Sequence, residues 1–206
     1  MLNLEKRNRI NAETIVIDGF WGCGKSLLYN LLPSLNNIIR AKYLPEYENI
    51  HILNNEKLIS DDVAKWYLAN LLDKSYYNSS IGRESNLRWS DDSGLKNSNN
   101  KIKDIMLLFS KDGEYALEKF KNNNHAQLIF THNLSLSNNS LINLYSSNIF
   151  FIEIIRNPIF VISNYENFLM RFDSPKEFTP SFYINDKKSP WFTSDYKESL
   201  ENLSNI

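Results

Sequence analysis

Apolar positions along the chain alternate between a strand period and a helix period. TIVID (14–18) is a β-branched run that closes on an acid and then Gly19, the pattern of a buried parallel strand entering a turn. From Lys25 onward Leu27, Leu28, Leu31 and Leu32 recur at helical spacing, and Pro33 marks the end. IIRAKYL (38–44) predicts a second strand. DDVAKWYLANLLDKSYY (61–77) predicts an amphipathic helix whose first turn carries two aspartates suited to the helix dipole. A helix at 113–121, strand AQLIFTH (126–132), a helix at 137–145, strand NIFFIEII (148–155) and a helix at 159–170 follow. Strand and helix in alternation imply a parallel sheet with helices on both faces.

Two stretches break the alternation. Asn78 to Lys101 is polar and without period, and a loop of that length in a compact domain is usually functional or disordered. The segment FTPSFYINDKKSPWFTSDYKESLENLSNI predicts a strand, a turn at Pro190-Trp191 and the start of a helix. That helical pattern is still running at Ile206, which reads as a fragment or as a domain that has lost its last elements. No repeat or linker divides residues 1–206, so a single domain is expected.

Composition changes this picture little. The 206 residues are 42% hydrophobic and 23% charged, enough for one good core. The net charge of -1 gives no bulk reason to expect nucleic acid or an anionic membrane as partner, although it says nothing of local basic patches. Cys23 is the only cysteine, and the start MLNLEKRNRINAET has no apolar core of a signal peptide. A cytoplasmic protein is the expectation.

Candidate chemistry begins at the first turn. Gly19-Phe20-Trp21-Gly22-Cys23-Gly24-Lys25-Ser26 satisfies the phosphate-loop pattern G-x-x-x-x-G-K-[ST], between a predicted strand and a predicted helix. Glycines let backbone N–H groups turn inward around phosphate oxygens, Lys25 sets a compact charge against the distal phosphate, and Ser26 can meet a metal or an oxygen. The expected fold is therefore α/β, a three-layer P-loop fold with a central parallel sheet flanked by helices. The acid that usually holds Mg²⁺ at a neighbouring strand end is not evident: those strands deliver Thr131, His132 and Arg156 instead. Asp18 and Glu153 read as poorly placed for that role, and Asp91 or Asp92 are the remaining candidates. In an open parallel sheet the strand ends face the ligand crevice. There His132 could act as a general base, or be a satisfied surface histidine. Arg156 could clamp a phosphate, or pair with a core carboxylate.

Taken together these positions resemble the sulfotransferase family that uses 3′-phosphoadenosine-5′-phosphosulfate. FFIEIIRNPIFVISNYENF is similar to its strand-R-[DN]-P-helix motif, and LIFTHNLSLS to the strand ending K-T-H-L-P that precedes it. GRESNLRWSDDSG and EFTPSFYINDKKSPWF are weaker likenesses. The resemblance implies that Gly22, Cys23, Gly24, Lys25 and Ser26 bind the 5′-phosphosulfate, that Arg156 binds the 3′-phosphate, and that His132 is the base. It also implies no metal. The chain departs from the motif in three places. Asn164 stands where the family has a serine, with Ser163 one step early. Phe130 replaces the lysine of K-T-H. The loop lysine is Lys25, where the family's loop resembles P-K-S-G-T-T with its lysine aligned on Gly22.

The leading expectation is sulfuryl transfer to a hydroxyl or amine of a small-molecule or carbohydrate acceptor, with Lys25 and His132 catalytic. Arg83, Arg88 and Trp89 would line the acceptor pocket, or be solvated loop residues. Two alternatives stay open: a nucleoside or small-molecule kinase using ATP and Mg²⁺, and a non-catalytic nucleotide-binding protein.

Overall fold

The computed structural model describes residues 8–35, 37–40, 43–91, 94–98, 101–111, 113–122, 125–132, 134, 148–170, 174–175, 180–184, 186–191 and 193. The expected helix at 137–145, the closing helix after 193, Asp92 and residues 41–42 of the second strand lie outside them. Four strands, β1 (Thr14–Gly19), β2 (Ile38–Arg40), β3 (Ala126–Phe130) and β4 (Ile149–Ile154), form one sheet in the order β2-β3-β1-β4. Every pairing is parallel, with Val16 opposite Ile129 on one side and Phe151 on the other. β1 is thus flanked on both edges, which is why its sequence is a near-continuous apolar run.

Val16 and Ile17 point to opposite faces, as neighbours on a strand must. On the Val16 face, Ile129 packs with Tyr47, Ile50, Ala64, Leu68, Leu71 and Leu72, from the helices α2 (Glu46–Asn55) and α3 (Asp61–Ser80). On the Ile17 face, Leu128 packs with Tyr29 and Leu28 of α1 (Lys25–Leu31). Helices therefore cover both faces of the parallel sheet, compatible with the three-layer expectation. Further along lie α4 (Lys101–Leu107), α5 (Glu114–Asn122) and α6 (Ile162–Leu169). A separate antiparallel hairpin joins β5 (Ser181–Ile184) to β6 (Lys187–Pro190), so Pro190 ends a strand where the sequence suggested only a turn.

α3 fixes the direction of everything after it. Ser60 caps it by accepting from the Val63 N–H, and its second half lies along the strand starts. There Asp73 accepts from the Ile10 N–H at 3.2 Å, the Tyr76 hydroxyl donates to the His125 carbonyl at 3.2 Å, and Gln127 donates to the Leu72 carbonyl at 3.3 Å. The C-terminal end of α3 therefore sits at the sheet edge opposite the glycine turn.

α2 has no counterpart in the sequence reading. Its inward face carries Glu48, His51 and Asn54, all buried, so the apolar stripe that announces a helix is interrupted by polar groups. Burial lowers the pKa of His51 from 6.5 to about 4, with Asp18 opposing the shift. The folded state thus binds fewer protons than the unfolded one between those values. Its stabilising share is complete above pH 6.5 and is lost as pH falls toward about 4. Denaturant unfolding across that window should show a loss for the wild type, on the order of 3 kcal/mol from this residue, that His51→Gln lacks. A His51 ring titrating near 6.5 by NMR would contradict the account.

Candidate functional site

The chain leaves the sheet at Gly19 with φ 141° and turns again at Gly22 with φ 79°, both in the region L side chains avoid. A Cβ on Gly19 would lie 2.5 Å from the Ile154 carbonyl oxygen, so β4 closes against the turn. A Cβ on Gly22 would lie 2.9 Å from Asn164 Cβ and 3.0 Å from its Nδ2, so the α6 amide rests directly on the loop. Gly24 precedes α1, Cys23 is buried, and Ser26 is exposed in the first helical turn.

Lys25 is buried, and its ammonium donates to the carbonyls of Gly19 and, at 2.9 Å, of Phe20. The side chain that ends the loop thereby staples the loop's beginning. Burial pushes the ammonium below its ordinary pKa, with Cys23, Asp18 and Glu48 acting against the shift. From the other side Arg156 donates through Nη1 to the Gly22 carbonyl at 3.0 Å. Lys25, Arg156 and Asn164, far apart in sequence, meet on one turn.

The end of β3 supplies the second half of the site. Thr131 donates to Asp18 Oδ1 at 2.8 Å, and the Leu134 N–H reaches the same oxygen at 3.2 Å. Asp18, read from sequence as poorly placed, is a buried acceptor that ties β1 to the chain leaving β3. His132 donates its backbone N–H to Glu48 Oε1 at 2.8 Å, and its Nδ1 stands 3.0 Å from the same oxygen. An ionised carboxylate can only accept, so Nδ1 carries the proton and Nε2 is left as a base. Trp21 of the loop stacks on the His132 ring at 5.4 Å and 15°, while Tyr43 and Phe130 approach it edge-on. The imidazole is fixed by an acid behind and aromatic rings around it. Tyr43 also donates to Glu48 at 3.4 Å.

Glu48 is the group that sequence reasoning missed. The signal available was an acid in the first turn after the second strand, in YLPEYENI, but that looks like an ordinary exposed helix start. Burial alone singles it out.

The three expected acceptor residues are not brought to this site. Arg83 follows the end of α3 at the strand-start edge, its guanidinium 5.6 Å over the Tyr77 ring. Arg88 is exposed and pairs with Asp91 at 3.1 Å, and Trp89 lies under the Lys101 ammonium at 5.6 Å. The rings that do border His132 are Trp21 and Tyr43, with Phe130. Asp91, held by Arg88 and by Asn86 at 3.1 Å, has no recorded contact with the glycine turn among the described residues.

Comparison of the chain with protein-family models, curated proteins and solved structures finds no significant match. Among the described residues no helix is long and apolar enough to cross a membrane.

The turn's geometry sets a graded test. Gly19→Ala meets both a forbidden φ and the Ile154 carbonyl, whereas Gly24→Ala, at φ 105°, meets no atom within 4 Å. Chemical denaturation should show a loss of about 3 kcal/mol or more for the first and about 1 kcal/mol for the second. Equal losses would mean that β4 does not close against the turn.

Proposed function

We propose that this chain transfers a sulfuryl group from 3′-phosphoadenosine-5′-phosphosulfate to a hydroxyl acceptor. The observation that supports it most is the convergence of Lys25 and Arg156 on one glycine turn with the His132–Glu48 pair beside it. In this scheme the N–H groups of Gly22, Gly24, Lys25 and Ser26 and the Lys25 ammonium hold the 5′-phosphosulfate, while the Cys23 N–H donates to the Phe20 carbonyl at 3.2 Å. Arg156, exposed and with donors to spare beyond the Gly22 carbonyl, takes the 3′-phosphate together with the Asn164 amide.

The acceptor hydroxyl gives its proton to His132 Nε2 as its oxygen bonds to sulfur. The bond from sulfur to the bridging phosphate oxygen breaks, and the adenosine 3′,5′-bisphosphate left behind carries the charge that Lys25 and the loop amides stabilise. Glu48 keeps the imidazole in the tautomer that accepts and balances the imidazolium that forms. Trp21 and Tyr43 flank the position from which the acceptor must approach.

Phosphoryl transfer from ATP is the second reading, favoured by the loop-closing lysine and by the buried carboxylates Asp18 and Glu48 close to it. Titration calorimetry separates the two. Adenosine 3′,5′-bisphosphate should bind, and Arg156→Ala should weaken it by about 1.5–3 kcal/mol while leaving adenosine 5′-phosphate nearly unaffected. His132→Ala should leave donor binding intact and lower transfer of labelled sulfate by about 10²–10⁴-fold. Binding of ATP·Mg²⁺ without binding of the bisphosphate would replace sulfuryl by phosphoryl transfer.

A further inference from the structure

α4 turns the wrong face to solvent. Ile102, Ile105, Met106 and Phe109 follow the i, i+3, i+4, i+7 spacing of an apolar helix face, and the N–H groups of Leu108 and Phe109 continue the turn past Leu107. Yet Ile102 is 73% exposed, Met106 68% and Phe109 85%. The opposite side carries Asp104 and Leu107, both half-buried, and a Cβ on Gly82 would come within 2.9 Å of Leu107. Trp89, 60% exposed, stands beside this face under Lys101.

A cleft of about 490 Å³ opens next to it, lined by Ile81, Gly82, Arg83, Leu108, Ser110 and Lys111. Arg83 is set over Tyr77, whose hydroxyl accepts from the Gly113 N–H at 3.1 Å, so one wall is anchored to α3. Exposed cations flank the apolar face: Lys101 and Lys103 on α4 itself, Arg83 and Lys111 in the lining of the cleft. Several acids of the region are held by neighbours: Glu84 by Asn78, Asp91 by Arg88 and Asn86, and Asp104 by Ser98 at 2.5 Å. Glu114 and Glu118 lie past Gly113, on α5.

From these features we infer that the α4 face docks on an anionic phospholipid surface, with a headgroup phosphate in the cleft between Arg83 and Lys111. An acidic head beside an apolar stripe matches one amphiphile, its phosphate at the two cations and its chains along Leu108, Ile105 and Met106. Pairing with a second copy through the same face would bring the lysines flanking one copy's helix toward those of the other. The cations act locally, so the chain's net charge near zero does not oppose the contact. The cleft borders Ile81 and Gly82, just past the C-terminal end of α3. The contact does not depend on which group is transferred.

Flotation of the full chain with vesicles is the test. Vesicles of phosphatidylcholine with phosphatidylserine should carry the protein, pure phosphatidylcholine far less, and added salt should weaken the binding. The pair Met106→Ser and Phe109→Ser should lower the partition coefficient at least tenfold. Arg83→Gln and Lys111→Gln should each lower it about fivefold on the anionic vesicles. Brominated lipid should quench fluorescence in the wild type that Trp89→Phe has lost. All these side chains are exposed, so unchanged thermal unfolding confirms that the variants fold. Absence of flotation, equal flotation with both vesicles, variants that float like the wild type, or a soluble dimer dissolved by Phe109→Ser would each overturn the inference.

Discussion

One ammonium group organises the candidate site. Lys25 is taken out of water and repaid by the carbonyls of Gly19 and Phe20, with the fields of Cys23, Asp18 and Glu48 in its favour. An unpaired charge at that depth would cost several kcal/mol, so the lysine and the loop conformation specify each other. The loop can hold that conformation only because Gly19 and Gly22 accept φ values that bring it against the Ile154 carbonyl and Asn164. Sequence, backbone and charge are locked at one point.

The rest of the site follows from strand order. With β1 between β3 and β4, what leaves β3 and what leaves β4 must come to either side of the same turn. β3 delivers Thr131 to Asp18 and His132 to Glu48, and the chain after β4 delivers Arg156 to Gly22. α2 contributes the carboxylate because its buried face is polar where it passes the strand ends. That same choice buries His51 and makes the region sensitive to acid.

Much of this was legible from residue pattern alone. TIVIDG, the glycine spacing and FFIEIIR mark two strands and what they carry, because each is a mainly apolar run of strand length bounded by a turn. Expecting Arg156 and Lys25 at one crevice needed only the rule that parallel strands end at the same edge. Glu48 and Asp18 escaped because a buried acid looks like an exposed one until its partners are known. Where Arg83, Arg88 and Trp89 lie was illegible for a different reason. The 20 residues of α3 carry the chain about 30 Å, and no local pattern says toward which edge of the sheet.

The molecule therefore presents different chemistry in two places: a buried lysine beside a carboxylate-held imidazole where the strands end, and an exposed apolar face flanked by lysines on α4. A crystal structure of the complex with adenosine 3′,5′-bisphosphate addresses the central claim most directly. The account predicts the 5′-phosphate on the backbone N–H groups of Gly22, Gly24, Lys25 and Ser26 beside the Lys25 ammonium, and the 3′-phosphate on Arg156 and Asn164. A nucleotide whose 3′-phosphate points away from Arg156, or that binds elsewhere on the chain, would contradict it.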